Sequence, residues 1–237
     1  MNSGPFARWT QKHAERRIAR HAAEVPKTDK NGLPIPPALL MVTTGGHARW
    51  ASFRKGGALA LATFAEAVDR NGGDFQNAGR ILDFGCGCGR LARHAAKHSQ
   101  ADFFGVDYNK MLVDWCAANL PGSYTQNQLT PPLDMPDNHF DIVYLLSVFT
   151  HLRIPTQKAW ISEFRRVLKP GGFCLITFHD ETHKSISQTD FSFADLQKEG
   201  FRYFNNQAEG SNFLSTFQSR AQLRELVGAD FEVCEIT

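Results

Sequence analysis

The run Asp83-Phe-Gly85-Cys-Gly87-Cys-Gly89 has the spacing of a ligand-binding loop. Glycines at alternate positions let a backbone turn sharply and approach a ligand closely. A helix that begins after such a run presents free N–H groups to a negative group. The spacing G-x-G-x-G differs from the G-x-G-x-x-G of nicotinamide and flavin sites, because Arg90 occupies the position of that pattern's third glycine. The tighter loop suits a ligand segment smaller than a pyrophosphate; the alternative is a glycine-rich turn without a ligand.

A second acid, Asp107, stands 24 residues after Asp83 and directly follows the apolar run 102–106. A carboxylate at the end of a strand can accept hydrogen bonds from both hydroxyls of a ribose. Tyr108 comes next and either flanks a purine ring or is a surface aromatic. In combination with the glycine run, Asp107 predicts a cofactor that contains a nucleoside.

Histidines follow two later apolar runs. His151 is a candidate general base, or alternatively a residue that orders its loop by hydrogen bonds. His179, Asp180 and His183 form a second polar cluster that could line an acceptor pocket. A metal site in this H-D-x-x-H segment is the less favoured alternative, because no further ligand group is evident. We therefore predict no metal.

Strands and helices alternate through the middle of the chain. The predicted strands are 80–84, 102–106, 140–146 and 173–178, and the predicted helices between them are 91–98, 111–120 and 156–168. This alternation predicts an α/β fold, a Rossmann-like, doubly wound, mostly parallel sheet with helices on both faces. Ligands of such sheets bind beyond the carboxyl ends of the strands, where the candidate residues lie.

The N-terminal part is predicted to be a helical extension. Residues 1–30 carry seven Lys/Arg and three acids, and the stretch from 8 to 24 lacks Gly and Pro, which favours a short basic helix. Prolines and a glycine in 31–37 indicate a turn, and 45–57 is irregular before a helix at 58–68. We predict that residues 1–57 form a cap over the ligand rim and that 58–237 form the main domain.

The C-terminal part is less regular. Residues 190–200 resemble an insertion, 219–227 predict a helix with Ser219 as its cap, and 231–236 predict a strand. With one late strand only, the sheet is expected to lack its last edge strand. A second copy or another partner is then expected to cover that edge, because an exposed edge is a liability.

Composition narrows the function. A net charge of +2 does not favour nucleic acid as a partner. The sequence has no apolar run of about 20 residues that could span a bilayer, and its start lacks the apolar core of a secretory signal. Five cysteines, an odd number, together with the missing signal indicate reduced thiols and a cytoplasmic location. A zinc site at Cys86 and Cys88 is not favoured, because no second pair lies at suitable spacing.

Four stretches together carry a family resemblance: LDFGCGCGR (82–90), GVDYNKML (105–112), PPLDMPDNHFDIVYLLSVFTHL (131–152) and EFRRVLKPGGFCLITF (163–178). The sequence resembles the class I S-adenosylmethionine-dependent methyltransferases over residues 80–178. The third stretch most resembles bacterial stand-alone methyltransferases that modify glycans or other small acceptors.

The resemblance implies a role for each candidate residue. Gly85, Gly87 and Gly89 would cradle the methionine and ribose parts of S-adenosylmethionine. Asp83 would order the cofactor's amine, and Asp107 would hold its ribose.

Adenine recognition and the methionine end are implied in the same way. Asn127 is the nearest match to the family's adenine acceptor, with Gln126 and Gln128 as alternatives. Ser147 ends the strand beside the expected methionine part.

The expected function is methyl transfer from S-adenosylmethionine to an oxygen or nitrogen nucleophile of a small-molecule or glycan acceptor. The alternatives are a nucleotide-cofactor oxidoreductase and a cofactor-binding protein without catalysis.

Overall fold

The computed structural model describes residues 27–46, 48–95, 98–183, 186–187, 189–205 and 207–237. Five strands form one parallel sheet in the order β3-β2-β1-β4-β5. They are β1 (Arg80–Phe84), β2 (Asp102–Asp107), β3 (Ser123–Gln126), β4 (Phe140–Leu145) and β5 (Leu168–Ile176). The strand order reverses between β1 and β4, which places a ligand crevice beyond the carboxyl ends of these strands. The predicted doubly wound fold is confirmed.

Helices connect the strands. They are α1 (Ala38–Gly45), α2 (Trp50–Arg70), α3 (Ala92–Ala95), α4 (Lys110–Asn119) and α5 (Ile154–Val167), with a 3-10 turn, Phe149–His151, after β4. Asn109 caps α4 by accepting the main-chain N–H of Met111. No helix among the described residues combines the length and apolarity needed to cross a membrane.

The two faces of the sheet bury separate apolar clusters. On one face, α5 and the C-terminal helix pack against β1 and β4, and the rings of Phe84 and Trp160 lie 4.5 Å apart. On the other face, α2 covers β1 and β4, and the ring centres of Phe64 and Tyr144 lie 5.2 Å apart. The apolar stripe of each helix thus explains which face of the sheet it covers.

Helix α2 begins eight residues earlier than predicted. The sequence 45–57 contains four glycines and reads as irregular, yet two of them, Gly56 and Gly57, lie inside the helix and serve packing. A Cβ on Gly57 would overlap the main-chain oxygen of Arg90, so glycine lets the helix approach the loop after β1. The predicted boundary between residues 57 and 58 falls inside this helix.

The chain before α1 is fixed to the domain by Arg93. Its guanidinium is buried, lies 3.4 Å from Asp29, donates to the carbonyl of Pro34 at 2.7 Å and lies 4.5 Å from the ring centre of Trp50. Both charged side chains are almost completely excluded from solvent. The turn at 29–33 is therefore part of the folded domain. The predicted basic helix at 8–24 lies outside the described residues.

After β5 the chain forms α6 (Phe193–Glu199), a hairpin of β6 (Phe201–Phe204) and β7 (Ser215–Gln218), and α7 (Arg220–Val227). The hairpin is an antiparallel sheet of its own, which the sequence did not predict. Ser219 caps α7 as predicted, by accepting the N–H of Gln222.

The predicted strand 231–236 is wrong. Phe231 and Val233 pack on the α5 side of the core, and Glu235 pairs with Arg70 at 2.6 Å. Side chains anchor this segment, and its backbone forms no strand with the rest of the described chain. Strand β3 was missed because its four residues bury only Tyr124, which gives no periodic signal.

Candidate active site

The glycine run forms a tight turn between β1 and α3. Gly85, Gly87 and Gly89 have positive φ values of 76°, 56° and 74°, which residues other than glycine rarely adopt. Their missing side chains also leave room for neighbours, because a Cβ would overlap Val148, Thr44 and Leu120 respectively. Three separate elements therefore close on the loop, and glycine is required by packing as well as by backbone shape.

Asp107 fixes the glycine loop. Its Oδ2 accepts the N–H of Gly87 at 2.9 Å, and its Oδ1 accepts the N–H of Asn109 at 2.8 Å. Burial raises the pKa of this carboxyl. Each carboxylate oxygen has a second lone pair, so the arrangement leaves acceptors for the two hydroxyls of a ribose while the loop stays bound.

Asp83 is a buried carboxyl with unused hydrogen-bonding capacity. The residue is 2% exposed, and its Oδ2 has no hydrogen-bond partner within the described residues. Burial and the negative charge of Asp107 raise the pKa of Asp83 to about 8, while the Tyr144 hydroxyl and Arg90 act in the opposite direction. An unsatisfied buried acid is costly. A cationic amine placed against it would remove that cost.

Asn127 and Tyr108 follow β3 and β2 at the same rim. The Asn127 amide donates to the carbonyl of Gln128 at 2.7 Å, so its Oδ1 faces away as an acceptor. Gln126 instead donates to the carbonyl of Tyr108, and Gln128 is exposed. These contacts favour Asn127 over the two glutamines as acceptor for an adenine amine. The Tyr108 ring is 45% exposed.

A strained turn follows β4. Ser147 has a positive φ of 59°, which is costly for a residue with a side chain. Its N–H donates to the Thr177 hydroxyl at 2.6 Å, and its carbonyl accepts from the Thr150 hydroxyl at 2.8 Å. These bonds hold the turn so that Val148 lies against Gly85.

His151 ends the 3-10 turn with its ring fixed. Nδ1 lies 2.8 Å from the carbonyl oxygen of Leu214, and a carbonyl can only accept, so Nδ1 carries the proton of the neutral ring. Nε2 then holds the lone pair. Burial lowers the pKa of His151, which keeps the ring neutral near pH 7. The contact with Leu214 therefore orders the loop and leaves the ring's lone pair on Nε2.

The second polar cluster is packed closely. The rings of His179 and His183 stack at 3.9 Å between centres, and burial together with the neighbouring histidines lowers the pKa of His179 to about 4. Asp180 accepts from Arg220 and Thr182. Within the part of the chain that the structure describes, no three potential ligands converge on a metal position.

The thiols near the loop are buried rather than exposed to a ligand. Cys116 and Cys86 donate to the carbonyl of Gly87 at 3.3 and 3.6 Å. The Thr44 hydroxyl accepts the N–H of Cys88 at 3.0 Å and donates to its sulfur at 3.2 Å.

Sequence reasoning missed Thr44, Thr177 and Leu214, which fix the loop, the strained turn and the histidine. Their partners lie 30 to 63 residues away, and nothing in the local sequence marks them.

Comparisons with known proteins agree with this geometry. Residues 81–172 match a family model described as a methyltransferase domain. A sterol 24-C-methyltransferase of Gibberella zeae is 36% identical over 99 residues, which cover 39% of this chain and 26% of that protein. Phosphoethanolamine N-methyltransferase 3 of Arabidopsis thaliana is 30% identical over 154 residues, which cover 63% of this chain and 30% of that protein. The aligned parts thus span about a quarter to a third of these relatives.

A solved S-adenosylmethionine-dependent methyltransferase of Mesorhizobium loti has the same fold, with a TM-score of 0.52 and 16% identity over 72% of this chain and 82% of that one. The sheet order and the loop after β1 define a Rossmann-like nucleotide-binding domain. Residues 81–172 are therefore similar to a methyltransferase domain, and the fold agrees with that of the class I S-adenosylmethionine-dependent methyltransferases that the sequence resembles. S-adenosylmethionine is the cofactor of this family, and the orphaned carboxyl of Asp83 fits its amine.

Proposed function

We propose that this protein transfers a methyl group from S-adenosylmethionine to an oxygen or nitrogen nucleophile of a small-molecule or glycan acceptor. The observation that carries the proposal is that two carboxyl groups flank one glycine loop. Asp83 is buried, and its Oδ2 has no hydrogen-bond partner within the described residues, whereas Asp107 binds the N–H of Gly87. The first suits an ammonium and the second a ribose. The relatives named above also have names that specify small-molecule acceptors.

When bound, S-adenosylmethionine supplies a methyl group already activated by a sulfonium. The protein's task is to bind, orient and exclude water. Asp83 holds the amine, Asp107 the ribose, and Asn127 Oδ1 the adenine amine, with Tyr108 beside the ring. Ser147 presents the strained turn to the methionine part, and the glycine loop with Gly85, Gly87 and Gly89 allows the close approach.

His151 is proposed as the general base. Its Nε2 would take the acceptor's proton, and bound S-adenosylmethionine would supply the methyl group by a displacement that leaves the electron pair of the carbon–sulfur bond on sulfur. A base is needed only where the acceptor must lose a proton, as a hydroxyl must, and a neutral histidine near pH 7 is matched to that task.

Calorimetric titration tests the cofactor assignment directly. We expect S-adenosylmethionine and S-adenosylhomocysteine to bind and NAD and NADP not to bind. Binding of NAD in place of the sulfonium compound would overturn the proposal.

A panel of hydroxyl and amine acceptors with radiolabelled methyl donor then tests the reaction. His151→Gln should lower turnover by about 10²–10⁴ and leave S-adenosylhomocysteine affinity unchanged. The matched control is His139→Gln, at the opposite end of β4. Equal turnover of the two variants would remove His151 from the mechanism.

The N-terminal segment 1–57 is proposed to act as a cap over the ligand rim. Support comes from Thr44, which lies on the glycine loop, and from Asp29, which is held by Arg93. We further propose the cytoplasm as the compartment, because all five cysteines are free thiols.

The outer edge of β5 is proposed as the surface that a second copy or another partner covers. Support comes from its place at the end of the five-stranded sheet. Sedimentation analysis of the purified protein tests this, and a monomer at all concentrations would contradict the second copy.

A further inference from the structure

The loop between β6 and β7, residues 207–214, lies against the candidate base; we call it the roof loop. The N–H of Gly210 donates to the main-chain oxygen of His151 at 2.9 Å, and the carbonyl of Leu214 accepts from Nδ1 of the same residue at 2.8 Å. Next to it, the Thr216 hydroxyl donates to the carbonyl of Leu152 at 2.7 Å. The 3-10 turn that carries the base is therefore held by the hairpin.

The roof loop also reaches the cofactor side of the rim. The Asn212 amide donates to the carbonyl of Thr43 at 3.1 Å. The next residue, Thr44, packs against Gly87 and accepts the N–H of Cys88. Near the middle of the loop, a Cβ on Gly210 would lie 3.5 Å from the Tyr108 ring. One short loop thus touches helix α1, the residue after β2 and the candidate base.

We propose that Asn212 is a positioning residue that ties the roof loop to α1 and so holds the Leu214 carbonyl on His151. Through that carbonyl it selects the tautomer in which Nε2 keeps the lone pair for the acceptor's proton. The inference rests on the proposed function, since it assigns the control of that reaction's base. The Asn212 contact also links the base to the glycine loop, because α1 bonds to the roof loop through Thr43 and to the glycine loop through Thr44.

The physical reason is that a neutral histidine in solution exchanges between two tautomers. A fixed carbonyl at Nδ1 removes one of them. The charged and titratable groups on the surrounding elements are His179 after β5 and the Arg153–Glu209 ion pair, which joins the end of the 3-10 turn to the roof loop. The ion pair is internally neutral and His179 is kept uncharged by burial, so the Leu214 carbonyl is the contact that decides which nitrogen is protonated.

The test uses four variants of the full chain with ¹⁵N-labelled histidine. Asn212→Asp is nearly isosteric but cannot donate to Thr43, Asn212→Ala removes the side chain, and Asn212→Gln keeps an amide donor. Asn71→Ala is the matched control, because it removes another amide-to-carbonyl bond, to Ala67 at 2.8 Å, at the far end of α2. The ring signals are assigned with His151→Gln.

The proton-coupled nitrogen spectrum of His151 and the affinity for S-adenosylhomocysteine are measured for each variant. The wild type and Asn71→Ala should show a protonated Nδ1 and a depressed pKa. Asn212→Asp and Asn212→Ala should show mixed tautomers and about two- to tenfold weaker binding, with partial recovery in Asn212→Gln.

An unchanged His151 spectrum in both Asn212→Asp and Asn212→Ala, with each variant folded by circular dichroism, would overturn the inference. So would a change in Asn71→Ala of the same size. If S-adenosylhomocysteine fails to bind the wild type, the proposed function itself fails. The spectrum of His151 then decides the role of Asn212 separately, because it is read without ligand.

Discussion

The two halves of the ligand rim are held together by different kinds of contact. On the β1–β2 side, buried atoms and main-chain donors interlock: Asp107 binds the loop, Thr44 fills the space beside Gly87, and Arg93 pairs with Asp29 in the interior. On the β4–β5 side, the turn that carries His151 depends on hydrogen bonds from a hairpin outside the main sheet. The first half is thus fixed by contacts within the main domain, whereas the geometry of the second half depends also on the hairpin.

Breaking the buried ion pair should give the largest effect. Asp29→Ala leaves Arg93 buried and uncompensated, which should lower the free energy of unfolding by about 3–5 kcal/mol and weaken S-adenosylhomocysteine binding, because Arg93 follows the glycine loop. The control, Asp114→Ala, opens the exposed pair with Lys110 and should cost less than about 1 kcal/mol. Denaturant titration and calorimetry measure both quantities. Unchanged cofactor affinity in Asp29→Ala would show that the β1–β2 half of the rim does not depend on the segment before α1.

Substitution within the loop comes next. Gly87→Ala places a Cβ at positive φ, which should cost about 1–2 kcal/mol, and against Thr44, which should add about 1–3 kcal/mol. Gly171→Ala isolates the first cost, since its φ is 79° and nothing lies within 4 Å of the added Cβ. Combining Gly87→Ala with Thr44→Ser should recover part of the free energy lost to the overlap with Thr44, because serine lacks the methyl group that the added Cβ meets. Equal unfolding free energies for Gly87→Ala and Gly171→Ala would mean that Thr44 does not press on the loop.

Replacing Asp107 should weaken S-adenosylhomocysteine binding with a smaller loss of unfolding free energy than the two preceding substitutions. Asp107→Ala deletes charge-assisted acceptors, so the dissociation constant for S-adenosylhomocysteine should rise by a factor that corresponds to about 1.5–3 kcal/mol. It also frees the N–H of Gly87, so some stability is lost as well. A change below tenfold, measured by calorimetry at pH 7, would count against the ribose assignment.

Cofactor binding should release a proton from the Asp83 carboxyl. The pKa of Asp83 is about 8 in the free protein, so the carboxyl is mostly protonated at pH 7 and a bound ammonium should ionise it. Calorimetry of S-adenosylhomocysteine binding in buffers of different ionisation enthalpy should report release of nearly one proton, and Asp83→Asn should abolish it.

The same raised pKa sets the sign of a stability change. A carboxyl whose pKa is higher in the folded state stabilises the protein below pH 4 and loses that contribution as the pH rises through 8. The unfolding free energy of the wild type should therefore decline relative to Asp83→Asn across this window. A parallel pH dependence of the two proteins would contradict the buried, unpaired state of Asp83.

The smallest expected effect lies where the two halves meet. Tyr108→Ala should weaken S-adenosylhomocysteine binding by about 0.5–1.5 kcal/mol, whereas Tyr108→Phe should bind as the wild type does, because the ring and not the hydroxyl covers the purine. If Tyr108→Phe is as weak as Tyr108→Ala, the contact is polar and the stacking interpretation fails.

The cofactor half could be predicted from sequence because its requirements are local. The glycines, Asp83 and Asp107 lie at or close to strand ends, and the positive φ values of the three glycines favour that residue type whatever the distant neighbours are. The fixed partner of His151 could not be predicted, since Leu214 is 63 residues away and belongs to a hairpin whose strands have four residues each. The sequence at 231–236 predicted a strand, but a local pattern cannot say whether backbone or side chains will anchor a segment.

The arrangement of thiols around the loop has a practical consequence for labelling. Cys86 and Cys116 donate to the carbonyl of Gly87. The hydrogen bond with Cys116 and burial raise the pKa of Cys86, and burial raises the pKa of Cys88 and of Cys174 to about 12, so the reactive thiolates of Cys86, Cys88 and Cys174 are scarce. Cys234 is the exposed thiol. A maleimide dye should therefore attach at Cys234 in the untouched wild-type chain. With a second dye on a cysteine introduced into the roof loop, energy transfer would report the movement of that loop in solution.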